Sequence, residues 1–85
     1  MTKIDKLLER LLCTPKDMEY SELVKILNHF GYVEKTKGKT SGSKVMFIHD
    51  EIKTPIRFHK PHPSPILKEY VLKQVIDELK KEKFI

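Results

Sequence analysis

An α+β domain, with a three-stranded antiparallel sheet and helices on one face, is the fold class this 85-residue chain predicts. Three observations carry it. Apolar residues recur at helical spacing near both ends of the chain. Between these stretches the period shortens to that of strands. The strand-like runs are joined by tight hairpin links, which implies an antiparallel meander. No internal repeat or low-complexity tract divides residues 1–85, so one domain is expected.

Thr2 caps the first helix, with Asp5 three residues on in a capping-box-like arrangement. Ile4, Leu7, Leu8, Leu11 and Leu12 then follow at helical spacing until Thr14-Pro15 stops the pattern. After a polar link from Lys16 to Glu19, a second helix aligns Tyr20, Leu23, Val24, Leu27 and Phe30, and Gly31 stands as its terminator. Tyr32 to Lys37 alternates weakly as a first strand, and Gly38 to Ser43 forms a Gly/Ser/Thr/Lys loop. Val45-Met46-Phe47-Ile48 has strand length, Asp50 to Pro55 reads as a turn, and Ile56-Arg57-Phe58-His59 alternates cleanly. Ser64 as cap and Pro65 at the first helical position open the last helix. Its expected buried stripe is Leu67, Tyr70, Val71, Val75, Ile76 and Leu79. Lys80, Lys81 and Lys83 suit the negative end of its dipole.

No apolar run approaches a membrane span, and Met1-Thr2-Lys3-Ile4-Asp5 lacks a secretory h-region, so a cytoplasmic protein with no membrane partner is expected. The single Cys13 cannot form an internal disulfide, and at the end of an apolar helix it reads as a small packed residue. Charge is concentrated. Lys35, Lys37, Lys39, Lys44, Lys53, Arg57, Lys60 and Lys68 against Asp50 and Glu51 give the central segment +6. The whole chain carries +5, so the remainder sums to −1. Such a centre points to a local anion site, for a polyanion or an acidic protein.

The same segment holds His49, His59 and His62. If Ile56 and Phe58 point inward, Arg57 and His59 share the outer face of the sheet with Lys44 and Met46. Cations beside an imidazole are what phosphodiester cleavage without metal needs. The cations stabilise charge developing on phosphate, and a neutral imidazole takes the proton from a ribose 2′-hydroxyl. The bland reading of His59-Lys60-Pro61-His62-Pro63 is a proline-stiffened turn with surface histidines. A zinc site is disfavoured because no cysteine offers a third ligand and the prolines break helical presentation. Lys39-Thr40-Ser41-Gly42-Ser43-Lys44 lacks GxxxxGK[ST] spacing and enters a strand, which argues against a nucleotide triphosphatase. It is also readable as a plain hairpin connector. His29 reads as an exposed helical histidine, and His49 beside Asp50 as a turn residue or a carboxylate-oriented imidazole.

Tyr20-Ser21-Glu22-Leu23-Val24-Lys25-Ile26-Leu27, then Phe30-Gly31-Tyr32, then Gly42-Ser43-Lys44-Val45-Met46-Phe47 resemble the HicA family of bacterial toxins. The run from His59 to Pro63 and the closing helix, Leu67 to Tyr70 and on through Gln74-Val75-Ile76, fit the same family. The resemblance covers residues 19–85. Residues 1–15 look like the added N-terminal helix of one branch of the family. It implies a double-stranded-RNA-binding-domain-like core, α-β-β-β-α, and a small mRNA endonuclease silenced by a HicB-type antitoxin. It also implies metal-independent cleavage, with no small-molecule cofactor, by the histidine of a Gly-Ser-His motif.

Here the matching triplet is Gly42-Ser43-Lys44. A lysine of ordinary pKa is a poor general base at neutral pH, although it binds phosphate well. Three explanations stand: catalysis has moved to His59 or His62, the nuclease is weak or lost, or the lysine is a deliberate detoxifying substitution. The candidate catalytic residues are therefore His59 and His62. Lys37, Lys39, Ser43, Lys44, Arg57, Lys60 and Lys68 are the candidate RNA- and phosphate-binding residues, the last of them beside backbone N–H groups from Ile66 onward. The competing function is a non-catalytic domain of the same fold that grips structured RNA or docks an acidic antitoxin. The sparse aromatics argue against single-strand recognition by stacking.

Overall fold

The computed structural model describes residues 3–35, 44–61 and 64–85. Its elements are α1 (Lys3–Leu12), α2 (Tyr20–His29), β1 (Val33–Glu34), β2 (Lys44–His49), β3 (Ile52–His59) and α3 (Glu69–Lys81). The strands form one antiparallel sheet in the order β1-β2-β3. This is the α-β-β-β-α arrangement of a double-stranded-RNA-binding-domain-like fold, preceded by one helix.

Period-2 alternation decides which face of the sheet is covered. Val45 and Phe47 on β2 and Ile56 and Phe58 on β3 are buried, whereas Lys44, Arg57 and His59 are exposed. Phe47 and Phe58 stack across the strands, with centroids 5.8 Å apart and rings 10° from parallel. Such a pair adds about 0.5–1.5 kcal/mol beyond its buried area. Helices α2 and α3 supply the other half of the core through Leu23, Ile26, Leu27, Val71, Leu72, Val75, Ile76 and Leu79. On α1 only Leu11 is fully buried, and Leu12 is exposed. Arg10 holds α1 to its neighbour. Its guanidinium donates to Asp17 at 2.6 Å and to Glu22, whose other oxygen accepts the Glu19 N–H at 2.9 Å. One carboxylate thus both caps α2 and ties it to α1.

Five local expectations are corrected. The last helix starts at Glu69, with Lys68 as its cap, and Ser64-Pro65 does not open it. The Ser64 hydroxyl accepts the Ile66 N–H at 3.2 Å, closing a tight turn. Residues 65–67 then run extended: Tyr20 N–H donates to Pro65 O at 2.9 Å, and Leu67 N–H to Met18 O at 2.8 Å. This bridge also buries Met18, in a link read from sequence as polar. Tyr70 consequently leaves the buried stripe, and Leu72 takes its place. β3 starts at Ile52, so the turn shrinks to Asp50 and Glu51. Phe47 pairs with Ile56 and His49 with Ile52, so residues 53–55 bulge opposite Ile48. Pro55 lies in that bulge on an edge strand, where a missing N–H is tolerated. Finally, Cys13 is exposed, because the chain leaves α1 through Thr14 at φ +44.

His49, a turn or carboxylate-oriented residue by sequence, ends β2 inside an aromatic cluster. Its ring centroid lies 5.2 Å from that of Tyr32 and 5.6 Å from that of Phe84. Phe84 reaches it because Lys83, just beyond α3, turns the chain back at φ +64. The His49 Nε2–H donates to Phe30 O at 3.0 Å, and Nδ1 accepts the Glu51 N–H at 3.0 Å. A carbonyl only accepts and an amide only donates, so the partners define a neutral Nε2–H tautomer. Gly31 crosses directly over this ring at φ +98, and a Cβ there would sit 2.6 Å from Nε2. At the opposite edge, the Tyr20 hydroxyl donates to Glu34 at 2.9 Å, and Tyr20 meets Phe58 edge to face.

Gly31→Ala is expected to destabilise the fold by about 1–3 kcal/mol, since left-handed strain adds to the clash with a ring held at both nitrogens. Urea denaturation checks it, and a change below about 0.5 kcal/mol, ordinary for a surface site, contradicts it. Burial first, then the hydrogen bond to Glu34 and that carboxylate's charge, push the Tyr20 phenol well above its ordinary value. Burial followed by the charges of Glu82 and Glu78 raises Tyr32 in the same sense. The folded state therefore keeps protons that the unfolded chain releases near pH 10, so this stability is intact below about pH 10 and falls as pH rises past it. Tyr20→Phe should flatten that alkaline decline in pH-dependent denaturation while Tyr32 keeps part of it. An unchanged slope would show that the Tyr20 phenol is neither buried nor bonded to Glu34 as described.

Candidate nucleic-acid interface

The register of β2 and β3 builds the site. Lys44 is the cross-strand partner of His59, and Met46 of Arg57. Directly opposed residues on one face bring their Cβ atoms to about 4.5–5.5 Å. Lys44, Arg57 and His59 therefore form one exposed cluster on the sheet face that the helices leave open. Arg57 is anchored from behind, since Gln74 of α3 donates its side-chain N–H to the Arg57 carbonyl at 2.6 Å. Across β1 and β2, Val33 opposes Ile48. The Lys35 N–H donates to Met46 O at 2.7 Å, which continues the ladder and brings Lys35 to the edge of the same face. This face thus carries an apolar strip of Val33, Ile48 and Met46, bordered by Lys35, Lys44, Arg57 and His59.

Beyond His59 the chain turns the corner of the sheet. Lys60 lies over the Tyr20 ring, with Nζ 5.1 Å from the centroid, on the helix side. Lys68 stands across a cleft of about 340 Å³ whose wall His59 and Lys60 also form. The predicted cations therefore separate into two groups that meet at His59: Lys44 and Arg57 on the open face, Lys60 and Lys68 around the cleft. Lys37, Lys39, Ser43 and His62 lie outside the described residues.

One predicted element of phosphate binding is corrected. The N–H groups of Ile66 and Leu67 do not point from a helix start, because Ser64 and Met18 accept them. His49, the third histidine of the basic segment, is half-buried with both ring nitrogens engaged by backbone, and His29 is exposed at the end of α2. No group of three or more His, Cys, Asp or Glu side chains placed to share an ion occurs among the described residues. No helix among them is long and apolar enough to cross a membrane. Sequence pattern alone does not place Val33, Lys35 and Ile48 on the open face, where weak alternation over residues 32–37 is the available signal for the first two. Helical spacing puts Tyr70 in the core, which the shifted start of α3 overrides.

The α-β-β-β-α core is the part of the chain that comparison with known proteins recognises. No curated protein and no solved structure matches the chain. A family model described as the HicA toxin of bacterial toxin–antitoxin systems matches residues 20–81, from the first residue of α2 to the last of α3, leaving α1 outside. The chain belongs to the HicA toxin family.

Proposed function

We propose that this protein is the toxin of a toxin–antitoxin pair, cleaving mRNA in the cytoplasm without a metal ion and silenced by a HicB-type antitoxin. The observation that carries the reading is the pairing of Lys44 with His59. The family pattern calls for a histidine at the position of Lys44, and the register sets an imidazole directly across the strand from it. His59 takes the proton from a ribose 2′-hydroxyl, and the 2′-oxygen attacks the adjacent phosphorus. The bond to the 5′-oxygen breaks, leaving a 2′,3′-cyclic phosphate, and the departing oxygen takes up a proton. Lys44 and Arg57 face the phosphate and stabilise the extra negative charge of the transition state. His62 is the second catalytic candidate, suited to supply the leaving-group proton, and Lys37, Lys39 and Ser43 are further candidates for binding phosphate. An acidic antitoxin with an apolar centre fits the same face, because Val33, Ile48 and Met46 lie inside the ring of cations. Residues 1–85 act as one domain, with α1 an addition to the core.

Lys44 itself favours a second reading, in which the face grips RNA or the antitoxin but no longer cuts. Incubating the purified chain with an mRNA pool in EDTA separates the two. Cleavage is expected in the native chain, with a loss of roughly 10²–10⁴-fold in His59→Ala, the usual weight of a general base. Undiminished cleavage by His59→Ala overturns the assignment. Absence of cleavage in the native chain, restored by Lys44→His, establishes the second reading. In either case RNA affinity should fall steeply with salt, by about one unit of log–log slope for each phosphate contact.

A further inference from the structure

Tyr70 is the most exposed large hydrophobic residue described, at 58% of its full surface. It sits in the first turn of α3 with no hydrogen bond or ring partner among the described residues. Tyr70 lines the same cleft as His59, Lys60, Ser64 and Lys68. No carboxylate lines that cleft, and its floor is apolar, from Leu67 and Val71, both almost fully buried. A cavity of this size, with an apolar floor, an aromatic wall and cations at the rim, has the chemistry of a single nucleotide unit. The base takes the aromatic and apolar surface, while Lys68 and Lys60 take the phosphate.

We propose that the cleft between the end of β3 and the start of α3 receives one unpaired nucleotide of the RNA, its base stacked on Tyr70. The proposal rests on the RNA-cleaving reading for its choice of polymer and goes beyond it in naming the strand state recognised. His59 belongs both to the cleft wall and to the open-face cluster, so the captured base flanks the phosphate held by Lys44 and Arg57. In an A-form duplex each base is stacked and paired, and its phosphates and 2′-hydroxyls are what a protein meets. A base can enter this cleft only from a loop, a bulge or a single strand. The protein therefore selects unpaired RNA by holding one base on one ring, not by the run of stacked aromatics that its composition argues against, although its fold is shared with domains that grip duplexes.

The test uses the full chain and a short single-stranded 2′-O-methyl RNA carrying 2-aminopurine, whose fluorescence falls on stacking. Blocking the 2′-hydroxyl prevents cleavage, so binding is read whether or not the chain is a nuclease. Tyr70→Ala is expected to weaken single-strand binding roughly 5- to 100-fold and to abolish the quench, whereas Tyr70→Phe keeps both. Affinity for a duplex of the same sequence should change less than about twofold in either variant, because phosphate contacts carry it. Single-strand affinity and quench unchanged in Tyr70→Ala, with its circular dichroism native, overturn the proposal. An equal loss of duplex and single-strand affinity overturns it as well. If the native chain fails to cut unmodified RNA while the Tyr70-dependent quench persists, the nuclease reading falls and the nucleotide site stands.

Discussion

The bridge between residues 18–20 and 65–67 is the constraint on which the functional surface depends. Two backbone hydrogen bonds, from Tyr20 to Pro65 and from Leu67 to Met18, fasten the entrance of α2 to the segment that leaves the sheet. Both ends of the bridge carry buried anchors, Met18 and Leu67. An extended segment held in this way cannot join the helix behind it, so α3 begins at Glu69. That delay turns Tyr70 to solvent and opens space between His59 and Lys68. A helix opening at Ser64 would have closed it.

The charge of the molecule follows the same division of labour. The core contains no buried charged residue among those described. Acidic side chains near the core's margins serve structure, as where Glu22 receives Arg10 and the Glu19 amide, or where Glu34 receives the Tyr20 hydroxyl. The cations of β2, β3 and the cleft have no such tasks, apart from Lys60 over the Tyr20 ring. Positive charge left unpaired on a surface costs self-repulsion unless a polyanion or an acidic partner relieves it. The family to which the chain belongs has partners in a toxin–antitoxin system.

Much of this was legible in short-range pattern. The stripe of α2, the inward Val45, Phe47, Ile56 and Phe58, and the outward Lys44, Arg57 and His59 all follow from periods of 3.6 and 2. What pattern could not show arises from contacts distant in sequence. The buried Met18 and the delayed α3 come from one long-range bridge. The early start of β3 depends on a bulge that absorbs Pro55, which reads locally as a strand breaker. His49 is half-buried in an aromatic cluster because Phe84, thirty-five residues later, is folded back on it by the left-handed Lys83. The sharpest functional clue, lysine in the place of a histidine, was visible in the sequence; its cross-strand neighbour needed the register.

The bulge at residues 53–55 also governs how this sheet meets other chains. β3 is an outer strand, and a flat outer strand offers its free amides and carbonyls as a template for another strand. Three residues opposite one, with a proline among them and Lys53 and Thr54 exposed, break the regular spacing that such docking requires. Sheet extension is therefore disfavoured along residues 53–55 of this border. Along the bulge, recognition is left to the face and its side chains rather than to strand pairing.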